Sequence, residues 1–323
     1  IALVRFSPDA GTARVEREIT VGLLPTDPDG PHGLAVSPDG RFLFVTTAHG
    51  QPFGYLWKLD AASGRAAGHV ELGKFPATLQ LTPDGAYAFV VNFNLHGDMV
   101  PSSVSVVDTD AMLEVARIAT CTMPHGSRLN PQGTRQYSAC MMDDQIVEID
   151  TRAFAVVRRL DVGHGERHTA PGAHAVTCSP TWAQPSADGT RLYVACSKAN
   201  EVLEIDVARW TVARRLQAGD GVYNLAVTRD GRLLIATNKR GQSVSVFDLA
   251  AGREVARIPT RRRIVHGVVV SPDDRYAFVS VEGIGAEPGT LEVIDLRRRA
   301  VVAAADVGQM AGGIDFWKTE GGQ

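Results

Sequence analysis

Motifs of several common enzyme classes are missing from this sequence. It contains no G-x-S-x-G nucleophile motif, no phosphate-binding G-x-x-x-x-G-K-[ST] loop, no G-x-G-x-x-G fingerprint and no H-E-x-x-H pair. The motif C-x-x-C-H is also absent, which excludes covalently attached c-type haem. The residues that carry the function must therefore be found by their positions in the fold.

Long apolar runs and a strong charge of either sign are missing too. No stretch of roughly 18 residues is apolar enough to span a membrane. The formal net charge of −3 and the pI near 6.3 argue against binding of nucleic acid through bulk electrostatics. The 323 residues are 44% hydrophobic and 21% charged, which is typical of a soluble globular chain with a sizeable core.

Six copies of one unit run through the chain. Each places a turn signal of Pro, Asp or Gly before a short β-branched and aromatic run, which is typical of a hairpin that leads into a strand. The copies are SPDGRFLFVTT from Ser37, TPDGAYAFVVN from Thr82, NPQGTRQYSAC from Asn130, SADGTRLYVAC from Ser186, TRDGRLLIATN from Thr228 and SPDDRYAFVSV from Ser271. A further strand that ends in Asp follows each copy, as in YLWKLD and VLEID. Four short strands per unit, without a convincing amphipathic helix, predict an all-β propeller.

The spacing of the units predicts the number of blades. Counting six residues back from the Pro of each turn, or its equivalent, gives the entry of each innermost strand at His32, Ala77, His125, His174, Tyr223 and His266, and the run QMAGGIDFW adds Ala311. Seven entries predict a seven-bladed propeller in a single domain, residues 1–323. Its closing blade is expected to combine residues 1–22 with residues 308–323, which removes open sheet edges. No second strand for that blade is visible in the sequence.

The repeated unit resembles the YVTN-repeat propellers, a mostly bacterial group. Similar blades occur in the propeller domains of nitrous oxide reductase, thiocyanate dehydrogenase and haem-d nitrite reductases, and in lactonase-type hydrolases. The resemblance covers almost the whole chain and implies the fold, but one propeller serves many chemistries. Together with a first residue that is not Met, it implies a periplasmic or secreted protein from which an upstream signal peptide has been removed.

The nine histidines are concentrated in segments expected at one pole of the central channel. Four occupy predicted entry positions, and two more lie in the loop GHGERHTAPGAH; these six are His32, His125, His174, His266, His164 and His168. Because neutral imidazole is a common ligand of copper, zinc and iron, we predict a metal site at these residues. The alternative is structural, since P-x-G is a frequent strand entry in such blades.

Other donors on the same pole refine this hypothesis. Thiol and thioether groups favour copper, with zinc or iron as alternatives, and they come from Cys121, Met123, Cys140, Met141 and Met142. The four cysteines have no C-x-x-C spacing and predict neither a zinc knuckle nor a disulfide framework, so Cys178 and Cys196 are expected to be buried as small hydrophobic residues. Carboxylates that can assist a metal or accept a proton are Asp143, Asp144, Glu166 and Glu282, with Asp143 and Glu166 as catalytic candidates. Tyr223 and Met123 are candidate ligand- or cofactor-binding residues.

Three functions compete on this evidence. The first is a copper-binding protein that performs redox chemistry on a small substrate. The second is a lactonase-like hydrolase, although no carboxylate occupies a predicted entry position. The third is a non-catalytic module that binds a protein partner at the channel pole.

Overall fold

The computed structural model describes residues 1–22, 30–48, 53–165 and 176–320, and every regular element in these ranges is a β-strand. Within them there is no helix that is long and apolar enough to cross a membrane. The all-β propeller expected from the repeats is confirmed.

Six complete blades are four-stranded antiparallel sheets whose strands pair in chain order. Blades 1 to 3 consist of β3 Pro31–Val36, β4 Phe42–Thr47, β5 Tyr55–Asp60 and β6 Ala66–Glu71; β7 Pro76–Leu81, β8 Tyr87–Asn92, β9 Pro101–Asp108 and β10 Leu113–Thr122; and β11 Pro124–Leu129, β12 Arg135–Cys140, β13 Gln145–Asp150 and β14 Ala155–Asp161. Blades 4 to 6 consist of β15 Pro180–Pro185, β16 Arg191–Cys196, β17 Glu201–Asp206 and β18 Thr211–Gln217; β19 Val222–Val227, β20 Leu233–Asn238, β21 Ser243–Asp248 and β22 Arg253–Pro259; and β23 Ile264–Val270, β24 Tyr276–Glu282, β25 Gly289–Asp295 and β26 Ala300–Val307. A two-stranded sheet, β1 Ala2–Ser7 with β2 Thr12–Glu18, completes the described elements.

The repeated turn fixes the hairpin between the first and second strands of a blade. In blade 1 the hydroxyl of Ser37 donates to Asp39 at 2.6 Å and accepts the backbone N–H of Phe42 at 2.9 Å. Gly40 follows with φ +70°, a conformation that glycine adopts without a steric penalty. The apolar run after this turn is then buried between neighbouring blades, as in the cluster of Phe44, Leu79 and Ala88.

A ring of hydrogen bonds links each innermost strand to the next. The entry position is the second residue of these strands, or the third in β23, and in blades 2 to 7 its carbonyl accepts a side-chain hydrogen bond from the preceding blade. Thr46 Oγ1 donates to Ala77 O at 2.8 Å, Thr237 Oγ1 to His266 O at 2.9 Å, and Ser280 Oγ to Gly312 O at 2.6 Å.

This register corrects two predicted entries. In blade 4 the innermost strand starts at Pro180, so Thr181 and not His174 occupies the entry position; its carbonyl pairs with His125 Nδ1 at 2.8 Å. The count failed because it started from Pro180, whereas the Pro of the repeated turn is replaced by Ala187 in this unit. At the end of the chain the equivalent residue is Gly312 and not Ala311. The described ring therefore contains three entry histidines, His32, His125 and His266.

The seventh position of the ring is an incomplete blade made from both ends of the chain. β1 and β2 pair with each other as outer strands, and residues 311–317 lie on the inner side. That segment reaches blade 1, where Asp315 accepts the N–H of Val36 at 2.8 Å and Trp317 Nε1 donates to Gly40 O at 2.8 Å. The two termini thus meet as predicted, but blade 7 is not four-stranded within the described residues.

Candidate functional site

A cavity of about 1430 Å³ runs from the channel pole where the innermost strands begin, along both ends of the chain, to the turns at Pro8 and Pro272. Its walls come from blades 1, 2, 5 and 6 and from both termini. At its inner end lie His32, Tyr223, Lys239, His266 and Glu282. We call these five residues, together with the adjoining His125, the histidine pole.

His125 is held by hydrogen bonds on both ring nitrogens. Nδ1 lies 2.8 Å from Thr181 O, and because a carbonyl accepts and never donates, Nδ1 carries the proton. Nε2 is then an acceptor, and the Tyr223 hydroxyl donates to it at 2.8 Å. Complete burial lowers the pKa of His125 to about 4, so the ring is neutral at physiological pH. Both nitrogens are used within the fold.

His266 and His32 differ from His125 in their surroundings. Burial, followed by the nearby charge of Lys239, holds the pKa of His266 well below its ordinary value. The buried Nδ1 of His266 has no hydrogen-bond partner of normal geometry within the described part of the chain, although the Gly312 backbone favours the protonated ring, and Nε2 lies 3.5 Å from Glu282 Oε1. The ring of His32 is 5.8 Å from that of His266 and 6.4 Å from that of His125, measured between centroids.

Lys239 and Glu282 supply opposite charges at the pole. Lys239 Nζ lies 3.4 Å from Glu282 Oε1 and 4.4 Å from the centre of the Tyr223 ring. Burial lowers the pKa of Lys239 and raises the pKa of Tyr223, so the phenol stays protonated. Glu282 was predicted among the carboxylates of this pole, whereas Lys239 was not predicted.

A signal for both residues was present in the repeats. Each comes directly after the sixth residue of a second strand, which pairs with the start of the innermost strand of the same blade. Asn238, before Lys239, pairs with Val222, and Val281, before Glu282, pairs with Val265. The same position in blades 1 to 4 holds uncharged residues, namely Ala48, Phe93, Met141 and Ser197. A comparison of the repeats at this position, and not only at the entry, would have distinguished blades 5 and 6 by their charged residues.

Aromatic rings cover the other side of the pole. Phe93 lies 4.7 Å from the His125 ring, and Phe75 lies 5.4 Å from the rings of both His32 and His96. Met123 packs against the cluster that contains Phe75 and Phe93. Met123 therefore contributes to packing beside His125 and does not line the cavity.

Several predicted site residues lie away from the cavity. His164 donates from Nε2 to Glu201 at 2.7 Å, beside Arg215, in a partly exposed cluster. Asp143 accepts the backbone N–H of Thr122 at 2.7 Å, and neither Asp143 nor His164 lines the cavity. Asp144 accepts the backbone N–H groups of residues 177–179 and so anchors the loop that enters blade 4. Glu166, His168 and His174 lie outside the described residues.

Two disulfides overturn the predicted state of the cysteines. Cys121 pairs with Cys140 and Cys178 with Cys196, each joining the approach to an innermost strand with the end of the second strand of the same blade. Cys121 and Cys140 are thus not thiolate ligands, and Cys178 and Cys196 are not free hydrophobic residues. Sequence spacing missed both pairs because the partners are brought together by the blade and not by a short motif.

The metal hypothesis was tested against these donors. Across the described ranges no three His, Cys, Asp or Glu side chains form a group that holds a metal ion. His125 fits the role poorly because a metal at Nε2 would displace the Tyr223 hydroxyl. The donor that fits is the buried Nδ1 of His266.

The fold and the ring of blades define a β-propeller protein. A solved structure of hydrazine synthase from Kuenenia stuttgartiensis is similar to the chain with a TM-score of 0.68 and 24% sequence identity, over 87% of this chain and 80% of that chain. At this identity the likeness shows the fold alone. No protein-family model and no curated protein matches the sequence.

Proposed function

We propose that the histidine pole binds a small polar molecule and exchanges protons with it. The observation that carries this proposal is the pair Lys239 and Glu282, an ammonium and a carboxylate 3.4 Å apart in a cavity lined by His32, the neutral imidazole of His266 and aromatic rings. Preorganised charges in a partly buried cavity act more strongly on a bound molecule than the same charges at the surface.

Hydrolysis of a small cyclic ester is the reaction that suits this pair. Glu282 accepts a proton from a water molecule while the water oxygen bonds to the ester carbonyl carbon. The ammonium of Lys239 offsets the negative charge that develops on the carbonyl oxygen. The ring C–O bond then breaks, and the leaving oxygen takes the proton back from Glu282. This arrangement supplies the carboxylate that the entry positions lack.

The test uses γ-butyrolactone and δ-valerolactone as substrates in the presence of a chelator. We expect hydrolysis by the purified protein and a loss of at least about 100-fold in kcat/KM for Glu282→Gln and for Lys239→Met. The matched control is Glu254→Gln, which removes an exposed carboxylate paired with Arg257 on an outer strand and should leave the rate unchanged. No acceleration above the buffer rate by the unsubstituted protein would rule out this reaction.

A metal ion at the same pole is a second candidate, favoured by the buried Nδ1 of His266 and the neutral state of that ring. Copper is the proposed ion, with zinc or iron as alternatives, and His266 and His32 are the candidate ligands. Isothermal titration of chelator-treated protein with Cu²⁺ or Zn²⁺ tests it: His266→Ala should abolish stoichiometric binding, and His69→Ala on an outer strand should not. If neither hydrolysis nor metal binding is measured, a protein partner at the pole is the function left to test.

The YVTN-type assignment and export to the periplasm or the medium belong to the same proposal. Two disulfides support export, because disulfides persist mainly in oxidising compartments. Cell fractionation of the native host, with thiol labelling before and after reduction, tests the location. Protein in the cytoplasm with four reactive thiols would contradict it.

A further inference from the structure

A second ring of side chains lies on the innermost strands, away from the histidine pole. It consists of the residues three positions after each entry, which places it about 10 Å further along these strands. Two of its seven members are charged, namely Arg128 on β11 of blade 3 and Asp315 in the C-terminal segment. The uncharged members are Ala35, Gln80, Gln184, Ala226 and Val269. The proposed chemistry at the histidine pole does not use the arginine of this ring.

Side chains of this ring can accept the backbone N–H of the next innermost strand. Gln80 Oε1 accepts the N–H of Leu129 at 2.6 Å, as Asp315 does with Val36. Arg128 cannot form such a bond because a guanidinium has donors only. The residue that would offer the N–H to it is Pro185, which has none. The chemistry of both residues therefore leaves the guanidinium without this inter-blade contact.

Few of the five N–H groups of Arg128 are used within the fold. Nη1 donates to Ser127 O at 2.9 Å, and the described residues give Arg128 no other hydrogen bond and no ion pair. Its Cζ lies 4.3 Å from the centre of the Trp182 ring. Since the N–H groups of a guanidinium point outward in its plane, contact with the indole positions Arg128 without occupying its donors.

The charge of Arg128 is partly removed from water. Burial lowers its pKa to about 10, while the negative charge of Asp315 opposes that shift, so the group stays protonated at pH 7. A desolvated charge without a hydrogen-bonded counter-ion is costly, and a bound anion offsets part of that cost. A guanidinium matches the two oxygens of a carboxylate or a phosphate group with two parallel hydrogen bonds.

We propose that Arg128, positioned by Trp182, binds a small oxyanion inside the central channel, with a carboxylate or a phosphate group as its recognised part. The neighbouring blades supply an amide on each side of Arg128. Gln80 keeps its Nε2 donors because Oε1 makes the contact with Leu129, and Gln184 uses one of its two N–H groups on Pro185 O. Asp315 belongs to blade 7, three blades away around the ring, and its negative charge weakens the site without closing it.

Isothermal titration of the full chain with inorganic phosphate and with acetate, at low ionic strength and pH 7.5, tests this site. We expect saturable binding of one anion per chain, and the tighter of the two probes identifies the preferred group. Arg128→Met should weaken binding at least about tenfold. This variant should still fold, because an apolar side chain of similar length can replace a buried charge. The matched control is Arg229→Met, which removes an exposed arginine and the same net charge, and should leave binding unchanged.

A second variant tests the site in the opposite direction. Asp315→Asn keeps an oxygen for the Val36 N–H but removes the negative charge, and should tighten anion binding about threefold or more. Absence of saturable binding of both probes, equal binding by Arg128→Met, or an unchanged affinity in Asp315→Asn would overturn the proposal. If Arg128→Met does not fold, the result for Asp315→Asn decides. Lactone hydrolysis does not enter these readouts, so this inference and the proposed function can fail separately.

Discussion

The two sides of the histidine pole each have a histidine at the entry position of an innermost strand, but these two histidines differ in their hydrogen bonds. On the side of blades 3 and 4, His125 is fully buried and both of its ring nitrogens are hydrogen-bonded. On the side of blades 6 and 7, His266 keeps a buried Nδ1 without a hydrogen bond and faces the cavity. His125 is therefore fixed by two hydrogen bonds within the fold, whereas His266 and His32 line the cavity.

The surroundings of the two histidines account for this difference. Disulfides fasten the entries of blades 3 and 4, and Thr181 belongs to a full four-stranded sheet. Next to His266 the following entry residue is Gly312, in a segment without strand pairing in the described residues. A Cβ at Gly312 would lie 3.8 Å from His266 Cε1, so the glycine leaves this side of the His266 ring uncovered.

The largest expected effect compares the glycines that follow the two histidines. A Cβ on Gly126 would overlap the carbonyl oxygen of Thr181 and the Trp182 ring, both held in a complete sheet. A Cβ on Gly267 would lie 2.7 Å from Gly312 O and 2.8 Å from Ser280 Oγ, which are longer distances than the 2.3 Å to Thr181 O at Gly126. We expect Gly126→Ala to lower the free energy of unfolding by about 4 kcal/mol and Gly267→Ala by about half as much. Chemical denaturation measures both, and equal losses would contradict the contrast between the two sides.

The second effect concerns the disulfides, which occur on one side of the pole. They join residues 19 and 18 positions apart, and removal of either should cost about 3 kcal/mol. The Cys121→Ala/Cys140→Ala pair should also loosen the strand that carries His125. Hydrogen exchange in the double variant is expected to rise at residues 124–129 and to stay unchanged at residues 264–270. A uniform rise in both strands would show that the two sides are not independent.

The repeats predicted most of the fold, and less of the site. Period and turn chemistry are local properties, so the blades could be predicted from residues such as Ser37, Asp39 and Gly40, and the closing blade from the incomplete units at residues 1–22 and 308–323. The entry at Thr181 was missed because its turn lacks the usual Pro. The Lys239–Glu282 pair and both disulfides join residues that come together through blade packing, which spacing along one chain does not reveal.

The third prediction concerns the pH dependence that His125 imposes. Its pKa is lowered to about 4 in the folded protein, against an ordinary value of 6.5. As pH falls from 6.5 to 4, the His125 imidazole is therefore protonated in the unfolded chain but stays neutral in the folded chain. The free energy of unfolding drops by at most about 1.4 kcal/mol per pH unit in that window. His125→Gln should cost about 2 kcal/mol at pH 7 and reduce this slope, with His266 supplying the part that remains, as measured by denaturant unfolding at several pH values. An unchanged slope would mean that His125 is not the group that titrates.

The smallest change in stability is expected for a substitution of His266. This variant gives the sharpest test of the difference between His266 and His125. Because Nδ1 has no hydrogen bond to lose and Nε2 is 3.5 Å from Glu282, His266→Gln should change the free energy of unfolding by less than about 1 kcal/mol at pH 7. The same substitution should reduce lactone hydrolysis or metal binding at least tenfold, whereas His125→Gln acts mainly through stability. Unfolding curves and activity measured on the two variants side by side check this. A loss of stability at His266 as large as that at His125 would show that both histidines serve the fold, and the functional side of the pole would then have to be sought at Lys239.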